Sequence, residues 1–418
     1  MTGVTVETRA PIRNGSEDGS RPVWVGAAYI SSEGTVLKSV TGIEPCEGQS
    51  AKLLVFVEGR ARRWLEYARL PSSELVGRHL STLHLEMEVS AGAHPPPGVA
   101  MSESTIAICT RERPEHLRRC LERLAAGVAP DEEVLIIDNA PATDRTERLV
   151  AEFRSLLPNI RHVVETRPGL SRARNTALDE ACGEIVIFID DDTIPEPGWT
   201  LPLRIAMSLD PKIAIATGLV PPAELETAGQ QLFESRLHWS EDLSPQVYNY
   251  VQRGSLGPLF PFAAGRLGTG ANMAVRKKTI LEMGGFDENL GAGTWSRGGE
   301  DLEMFVRALR RGWSLAYIPE SVVWHVHPRR FEDVRKHIFG YGSGVTAYLT
   351  AVLAQPRRRE LAASVGHGVR YAISQRRSSA SVHSAEKAFL APEVLGFAWG
   401  PIAYLTSRWR TSSVAPER

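Results

Sequence analysis

Five apolar residues run directly into three aspartates in the stretch Gly183-Glu184-Ile185-Val186-Ile187-Phe188-Ile189-Asp190-Asp191-Asp192-Thr193. A continuous apolar run rich in β-branched residues is typical of a strand that is buried on both faces. Parallel sheets bind ligands at the carboxyl ends of their strands, where adjacent carboxylates can share a divalent cation. Alternate side chains of an extended segment point the same way, so Asp190 and Asp192 are expected to face one site. The alternative interpretation is a solvated acidic turn.

Strand-like and helix-like segments alternate regularly on the amino-terminal side of this stretch. In order along the chain they are a strand at 105–109, a helix at 114–126, a strand at 133–137, a helix at 144–157, a strand at 161–165, a helix at 171–181 and a strand at 184–189. Such spacing builds βαβ units around a parallel sheet. The sequence therefore predicts an α/β fold with a Rossmann-like, mostly parallel sheet flanked by helices.

The chain is long enough, at 418 residues, for two or three domains. Residues 1–100 contain short alternating segments, including Val23–Ile30 and Leu53–Val57, which predict a small β-rich domain that ends in a linker at Pro95–Gly98. Residues 101–348 form the predicted α/β domain. Residues 349–418 are basic and partly apolar, and we expect a helical C-terminal region there.

Composition and charge are those of an ordinary globular protein. The chain is 43% hydrophobic and 23% charged, and its formal net charge of −1 argues against a general nucleic-acid binder. The four cysteines form no CxxC pair and have no zinc-type spacing. Buried thiols in a reducing compartment fit this pattern, so we expect a cytoplasmic protein.

The C-terminal tail has its own charge pattern. From Pro328 to Arg418 the chain has 14 Lys and Arg against six Asp and Glu, a local charge of +8. Two apolar stretches, Val345–Leu353 and Phe389–Leu405, are too short or too interrupted to span a bilayer. Basic residues beside such stretches suit peripheral binding to an anionic membrane, here the inner face of the plasma membrane. The alternative is that both stretches pack as helices on the preceding domain.

Polar residues follow each predicted strand of the α/β region. The strand ends carry Thr110-Arg111-Glu112-Arg113-Pro114, Asp138-Asn139 and the three aspartates. The strand at 161–165 leads into a helix start at Gly169–Asn175, where a backbone N-terminus and two arginines suit a phosphate group. A surface turn explains any single strand end, but four on one edge of a sheet indicate a nucleotide site.

Two later segments add candidate functional groups. Glu300 and Asp301 stand at the start of a predicted helix, where capping alone also favours carboxylates. His325 and His327 share one face of a strand-like segment. Such a pair is often structural, but an imidazole could complete a Mn²⁺ site that two aspartates begin.

From Ser104 to Tyr348 the chain resembles family 2 glycosyltransferases of the GT-A fold. The similarity rests on an ordered series of motifs: Cys109-Thr110-Arg111-Glu112-Arg113-Pro114, Ile137-Asp138-Asn139, Gly169-Leu170-Ser171-Arg172-Ala173-Arg174-Asn175, Asp190-Asp191-Asp192, Gly270-Ala271-Asn272-Met273, Gly284-Gly285-Phe286-Asp287, Gly299-Glu300-Asp301 and Trp324-His325. One such motif is weak evidence, whereas the whole series in order is specific.

The resemblance implies transfer of a sugar from a nucleotide-diphosphate donor, most often a UDP-sugar, to a saccharide or lipid-linked acceptor. It implies a divalent cation, Mn²⁺ or Mg²⁺, held by Asp192 with Asp190 and His325. Asp301 matches the position of the catalytic base, with Glu300 beside it. The residues that match nucleotide-sugar-binding positions are Thr110, Arg113, Asp138, Arg174, Asp190, Asp191 and Asn272.

The chemistry is consistent with this set of residues. One base, one cation and no evident nucleophile favour a single displacement with inversion at the sugar. Two other functions remain open. A sugar-phosphate nucleotidyltransferase also uses metal-binding aspartates, although Thr110–Pro114 lacks the glycines expected after its first strand. A non-catalytic nucleotide-sugar binding module is the third possibility, although its acidic motifs would be expected to be incomplete.

Overall fold

The computed structural model describes residues 5–6, 22–31, 34–42, 49–57, 60–69, 76, 80, 101–129, 132–237, 242–254, 256, 259–355 and 384–413. These residues form two β-sheets and nine helices of the α type. The predicted linker at Pro95–Gly98 lies outside the described residues.

The first sheet belongs to the N-terminal region and confirms its predicted β-rich character. Its strands are β1 (Thr5–Val6), β2 (Val23–Ser31), β3 (Gly34–Ser39), β4 (Ser50–Val57) and β5 (Arg60–Tyr67). They are ordered β1-β3-β2-β4-β5. Strands β2 and β4 lie parallel at the centre, and their alternating side chains supply apolar groups to both faces.

The second sheet has nine strands and carries the site. Its strands are β6 (Ser104–Thr110), β7 (Glu133–Asn139), β8 (Ile160–Glu165), β9 (Ile185–Asp190), β10 (Thr193–Pro195), β11 (Ile213–Leu219), β12 (Gln246–Tyr248), β13 (Asn272–Arg276) and β14 (Ser314–His325). The order is β10-β14-β11-β13-β9-β6-β7-β8, with β12 beside β14. Strands β6, β7, β8, β9, β11 and β14 run in one direction, which confirms the predicted mostly parallel sheet.

Helices cover both faces of this sheet. They are α1 (Pro114–Gly127), α2 (Arg145–Phe153), α3 (Leu170–Glu180), α4 (Thr200–Leu209), α5 (Ala228–Leu237), α6 (Lys277–Glu282), α7 (Glu300–Arg310), α8 (Phe331–Leu353) and α9 (Ser384–Ser413). Successive residues of β6 belong to opposite apolar cores, with Ala107 in one and Ile106 and Ile108 in the other. This explains the continuous apolar runs, because both faces of the strands are buried.

One predicted helix is shorter than expected. The prediction extended α2 to Leu157, but the helix ends at Phe153 and a turn follows. Leu157 precedes Pro158, and the residue before a proline is disfavoured in the helical region. Leu157 is nevertheless buried, so its apolar character reflects packing in the core rather than helical continuation.

The N-terminal sheet packs against the end of β14 through a shared apolar cluster. Leu54 and Phe56 of the first sheet belong to it together with Tyr317 and Trp324 of the second. Glu196 joins the two sheets, because Tyr29 Oη donates to its Oε2 at 2.7 Å and Trp324 Nε1 donates to its Oε1 at 2.6 Å. Trp324 directly precedes the predicted metal ligand His325, so the first sheet supports the back of the site.

The C-terminal helices α8 and α9 pack on each other and on the α/β domain. Tyr404 Oη donates to Asp287 at 2.9 Å, and Arg236 pairs with Glu393 at 2.8 Å. The predicted boundary at 348 falls inside α8, which continues to Leu353. Within the described part of the chain, no helix has both the length and the apolar character needed to cross a membrane.

Candidate active site

The site lies where the order of the parallel strands reverses. Strands β6, β7 and β8 extend to one side of the sheet, and β9 lies on the other side of β6. Such a switch point leaves a crevice at the carboxyl ends of its two central strands. Here Cys109 of β6 lies opposite Asp190 of β9. A cavity of about 1210 Å³ opens above them and reaches α5, α7, α8 and α9.

Three of the predicted metal ligands meet at this crevice. One ligand atom each from Asp190, Asp192 and His325 lies within 4.8 Å of the other two. Pairing of β10 with β14 places Thr193 opposite His325, and Val326 N donates to Asp192 O at 3.0 Å. The fold thus fixes the histidine beside the aspartates through backbone pairing. Two carboxylates and an imidazole are a donor set that suits Mn²⁺.

Arg113 and Thr110 organise the aspartates from the end of β6. The Arg113 guanidinium lies 2.7 Å from an oxygen of Asp191 and 2.7 Å from an oxygen of Asp192. Thr110 Oγ1 donates to Asp191 at 2.6 Å, and Asp191 is only 3% exposed. Asp191 therefore faces protein groups, whereas Asp190 and Asp192 face the crevice with His325.

The pKa values of these groups reflect burial and mutual charge. Burial raises the pKa of Asp191 above its ordinary value, although Arg113 opposes that effect. Burial also disfavours the charged form of Asp192, but the positive charge of His325, present only when that ring is protonated, and the Arg113 guanidinium outweigh burial and lower the pKa of Asp192. Burial lowers the pKa of His325, so the ring favours its neutral form, which alone can ligate a metal.

Arg174 joins the aspartates to the start of α7. Its guanidinium is buried between the rings of Phe188 and Phe286, with centroids 5.7 and 5.5 Å away. It lies 2.9 Å from Glu300 Oε1 and 3.7 Å from Asp190 Oδ1, and it donates to the Gly270 carbonyl at 3.2 Å. A guanidinium held by two carboxylates and a carbonyl positions both carboxylates.

The two acidic residues at the start of α7 differ in environment. Asp301 is half-buried and lines the cavity, and its two oxygens accept backbone N–H groups of Gly270 and Leu302 at 2.8 Å each. Glu300 is 5% exposed and paired with Arg174. Burial, together with the adjacent Asp301 charge, raises the pKa of Glu300. Of the two, Asp301 has the geometry of a group that meets a ligand.

Comparison with known proteins identifies the domain that contains this crevice. A protein-family model described as "Glycosyl transferase family 2" matches residues 105–269. This segment is therefore similar to glycosyl transferase family 2 domains. It includes the aspartates of β9, whereas Glu300, Asp301 and His325 lie beyond the matched residues.

Similar proteins share parts of the chain at low identity. The pre-mycofactocin glycosyltransferase of Mycobacterium tuberculosis (strain CDC 1551 / Oshkosh) is 28% identical over 297 residues, which cover 70% of this chain and 57% of that protein. An inactive polypeptide N-acetylgalactosaminyltransferase-like protein 5 from Macaca fascicularis is 27% identical over 206 residues, 48% of this chain and 45% of that protein. The chain thus spans about half the length of these relatives.

Among solved structures, the mannosyltransferase PcManGT from Pyrobaculum calidifontis is similar to 82% of this chain and 95% of that one. The TM-score is 0.47 and the sequence identity is 16%.

Two of the residues predicted to bind the nucleotide sugar, Asp138 and Asn272, do not line the cavity. Asn272 is fully buried, and its amide group bonds to the carbonyl oxygens of Leu219 and Ser321 at 3.3 and 3.0 Å. Asp138 is 1% exposed and lies 3.2 Å from His162 Nε2 through one oxygen. The other oxygen, Oδ1, has no hydrogen-bond partner among the described residues. Asp138 thus retains an acceptor, whereas the Asn272 side chain is engaged within the protein.

The cavity also has walls that the sequence did not indicate. His337 and Tyr341 line it from α8, and Arg236 and Glu393 line it from α5 and α9. The helical spacing of His337 and Tyr341 was the available signal, since residues four apart share one helix face. Nothing in local sequence shows that α8 turns this face toward Asp192, because that depends on how the helix packs.

Helix α8 contacts the start of α7 through Gly344. A Cβ added at Gly344 would lie 2.9 Å from the carbonyl carbon of Gly298 and 3.0 Å from the nitrogen of Gly299. Gly299 has a φ of 90° and leads directly into Glu300 and Asp301. Gly340, on the same helix, would place a Cβ 3.6 Å from Arg297, which is ordinary contact.

This difference predicts opposite effects for two alanine substitutions in α8. Gly344→Ala should lower the free energy of unfolding by about 1–3 kcal/mol through overpacking and displace the turn before Asp301. Gly340→Ala should raise it by about 0.5–1 kcal/mol, since alanine favours a helix interior. Chemical denaturation of both variants measures the contrast, and equal stability would show that the α8–α7 contact is looser than described.

Proposed function

We propose that the protein is an inverting, metal-dependent glycosyltransferase that moves a sugar from a nucleoside-diphosphate donor, expected to be a UDP-sugar, to an acceptor hydroxyl. This proposal rests on one observation: a cluster of candidate metal ligands and a carboxylate able to act as a base line the same cavity. The Asp190, Asp192 and His325 cluster lies at the switch point. The Asp301 carboxylate, at the start of α7, lines the same cavity. The family 2 domain match supports the same chemistry.

The donor set fits a divalent cation. Asp190, Asp192 and His325 would hold Mn²⁺ or Mg²⁺, which when bound offsets negative charge on a diphosphate leaving group. Arg113 helps to prepare this site, because it keeps Asp191 and Asp192 in fixed positions. Arg174 aligns Asp190 with Glu300 in the same way.

Asp301 is the proposed general base. The acceptor hydroxyl oxygen forms a bond to the anomeric carbon while its proton passes to an Asp301 oxygen. The bond from that carbon to the diphosphate breaks, and its electron pair leaves with the diphosphate. Two backbone N–H donors fix the Asp301 carboxylate, and each oxygen retains a further lone pair for a proton. One displacement without a covalent enzyme intermediate inverts the configuration of the sugar.

Product analysis separates this function from its alternatives. The full chain is incubated with Mn²⁺ or Mg²⁺ and, in separate reactions, with UDP-, GDP- or dTDP-sugars or with a nucleoside triphosphate and a sugar phosphate. Release of nucleoside diphosphate supports the transferase, whereas release of pyrophosphate from a nucleoside triphosphate and a sugar phosphate indicates a nucleotidyltransferase. Binding without turnover indicates a non-catalytic module; one similar protein is named as inactive.

The same proposal includes a cellular location and a class of acceptor: α9 binds the surface of an anionic membrane, and the acceptor is lipid-linked. From Leu390 to Leu405 every exposed residue is apolar: Leu390, Ala391, Val394, Leu395, Phe397, Ala398, Ile402 and Leu405. Arg408, Trp409 and Arg410 come three to five residues after Leu405, and Trp409 is 72% exposed. An apolar helix face that ends in tryptophan and arginine suits an anionic bilayer surface. Glu393 lines the cavity from this helix, so adsorption would place the cavity mouth near lipid-linked acceptors.

Flotation with anionic liposomes tests this location. The double variant Leu395→Glu with Ile402→Glu should reduce liposome binding on the order of tenfold or more, since burial of each apolar side chain contributes about 1.5–3 kcal/mol. Leu156→Glu is the matched control, because Leu156 and Leu395 are both 62% exposed and Leu156 lies after α2. High salt should weaken binding of the wild type. Protein that fails to float at any salt, or that uses the α9 face to dimerise in light scattering, would contradict the membrane proposal.

A further inference from the structure

A chain of hydrogen bonds extends from the proposed metal ligand into the protein interior. His325 Nδ1 lies 3.0 Å from His327 Nδ1, and His327 Nε2 lies 2.9 Å from Glu234 Oε2 on α5. The remaining ring nitrogen of His325, Nε2, faces the crevice 3.5 Å from Asp192 Oδ1. His327 is 1% exposed. We call Glu234, His327 and His325 the relay.

The Glu234 carboxylate, at the end of the relay away from the metal site, determines where the protons lie. An ionised Glu234 only accepts hydrogen bonds, so His327 Nε2 carries the hydrogen that it donates. In neutral His327 the other nitrogen, Nδ1, is then an acceptor. It therefore accepts the N–H of His325 Nδ1, which leaves a lone pair on His325 Nε2. This lone pair points to the side of the ring where Asp192 lies.

The opposite proton arrangement would weaken the site. If His327 Nδ1 donated to His325 Nδ1, then neutral His325 would carry its hydrogen on Nε2. That hydrogen would point at Asp192, so the imidazole would lose its ligand lone pair and the carboxylate would be hydrogen-bonded instead. The orientation of the relay therefore affects two of the three donor groups of the cluster.

We infer that Glu234 and His327 are positioning residues that fix His325 in the tautomer able to bind a divalent cation through Nε2. This inference rests on the metal site of the proposed function. The surroundings hold the relay in place: the Phe233 ring packs edge-on against His327 with centroids 4.9 Å apart, and Gln230 Nε2 donates to the His327 carbonyl at 3.2 Å. Outer partners of ligating histidines commonly act in this way on ligand orientation and basicity.

Binding of Mn²⁺ alone provides a test that does not depend on turnover. The electron paramagnetic resonance signal of free Mn²⁺ is followed as the full chain is titrated. Glu234→Ala and His327→Phe should each weaken Mn²⁺ binding by about 10–100-fold. Glu234→Gln keeps an acceptor oxygen and should stay within about fivefold of the wild type. Glu226→Ala is the matched control, since Glu226 lies near α5 and pairs with Arg329 outside the relay.

The outcomes separate the relay from the metal site itself. If Glu234→Ala and His327→Phe bind Mn²⁺ like the wild type while Asp192→Ala does not, the relay has no positioning role. If Asp192→Ala and His325→Ala also bind like the wild type, the metal site of the proposed function is wrong. If Glu234→Ala does not fold, the Mn²⁺ titration is made with Glu234→Leu and His327→Gln, provided that their melting temperatures match that of the wild type. If Glu234→Gln retains the Mn²⁺ affinity that Glu234→Ala loses, the acceptor oxygen at position 234 positions His327. If both variants lose Mn²⁺ affinity equally, that role of the acceptor oxygen is wrong.

Discussion

Asp192→Ala is expected to abolish sugar transfer, lowering turnover by at least about 10³-fold, because the cation site loses a carboxylate that bridges His325 and Arg113. Metal-dependent binding of nucleoside diphosphates should be lost at the same time. The fold should remain, since the residue lies just beyond a strand end and Arg113 keeps its contact with Asp191. Turnover assays and thermal melts with and without UDP and Mn²⁺ measure both effects.

The control for this experiment is Asp179→Ala, which removes an exposed carboxylate from α3. It should leave turnover and metal dependence unchanged. If the wild type stays active in excess chelator, the metal assignment is wrong. The same holds if Mn²⁺ still increases the turnover of Asp192→Ala.

Asp301→Asn should separate chemistry from donor binding. The substitution preserves the size of the side chain but removes the proton acceptor, so turnover should fall on the order of 10²–10⁴-fold with donor affinity little changed. The asparagine amide would face one of the two backbone N–H donors that Asp301 accepts, and a loss of about 1 kcal/mol in stability is expected. Steady-state kinetics and isothermal titration with donor test the two parts separately.

Glu300→Gln is the informative comparison for the base. Because Glu300 pairs with buried Arg174, this variant should lose stability and some alignment of Asp190 while retaining a base at Asp301. An active Asp301→Asn enzyme together with an inactive Glu300→Gln enzyme would reassign the base to Glu300.

The framework of the site could be predicted from sequence because it depends on local patterns. Apolar runs identified β6, β7 and β9, and the alternation of an extended chain placed Asp190 and Asp192 toward one site. The candidate metal ligand His325 was found by the same rule, although its contact with Asp192 depends on the pairing of β10 with β14. That pairing is long-range and leaves no local signal.

The hydrogen-bond partners of individual polar residues could not be predicted, because those partners lie far away in sequence. Arg174 follows a helix start and was predicted to contact the donor. Its guanidinium lines the cavity, but it also pairs with Glu300, 126 positions later, which the sequence did not indicate. Asn272 was placed with the same group, yet the insertion of antiparallel β13 between β9 and β11 encloses its amide within the sheet. Strand order of this kind is set by tertiary packing, not by propensity.

The apolar cluster around Trp324 joins residues that are synthesised far apart in time. Leu54 and Phe56 leave the ribosome early, but Tyr317 and Trp324, which cover them, are among the last strand residues to be made. At about 5–20 residues per second this interval lasts on the order of ten to fifty seconds. For that time Leu54 and Phe56 lack the Tyr317 and Trp324 side chains that pack with them in the folded protein. The cluster that supports the strand carrying His325 can therefore form only after β14 has been made.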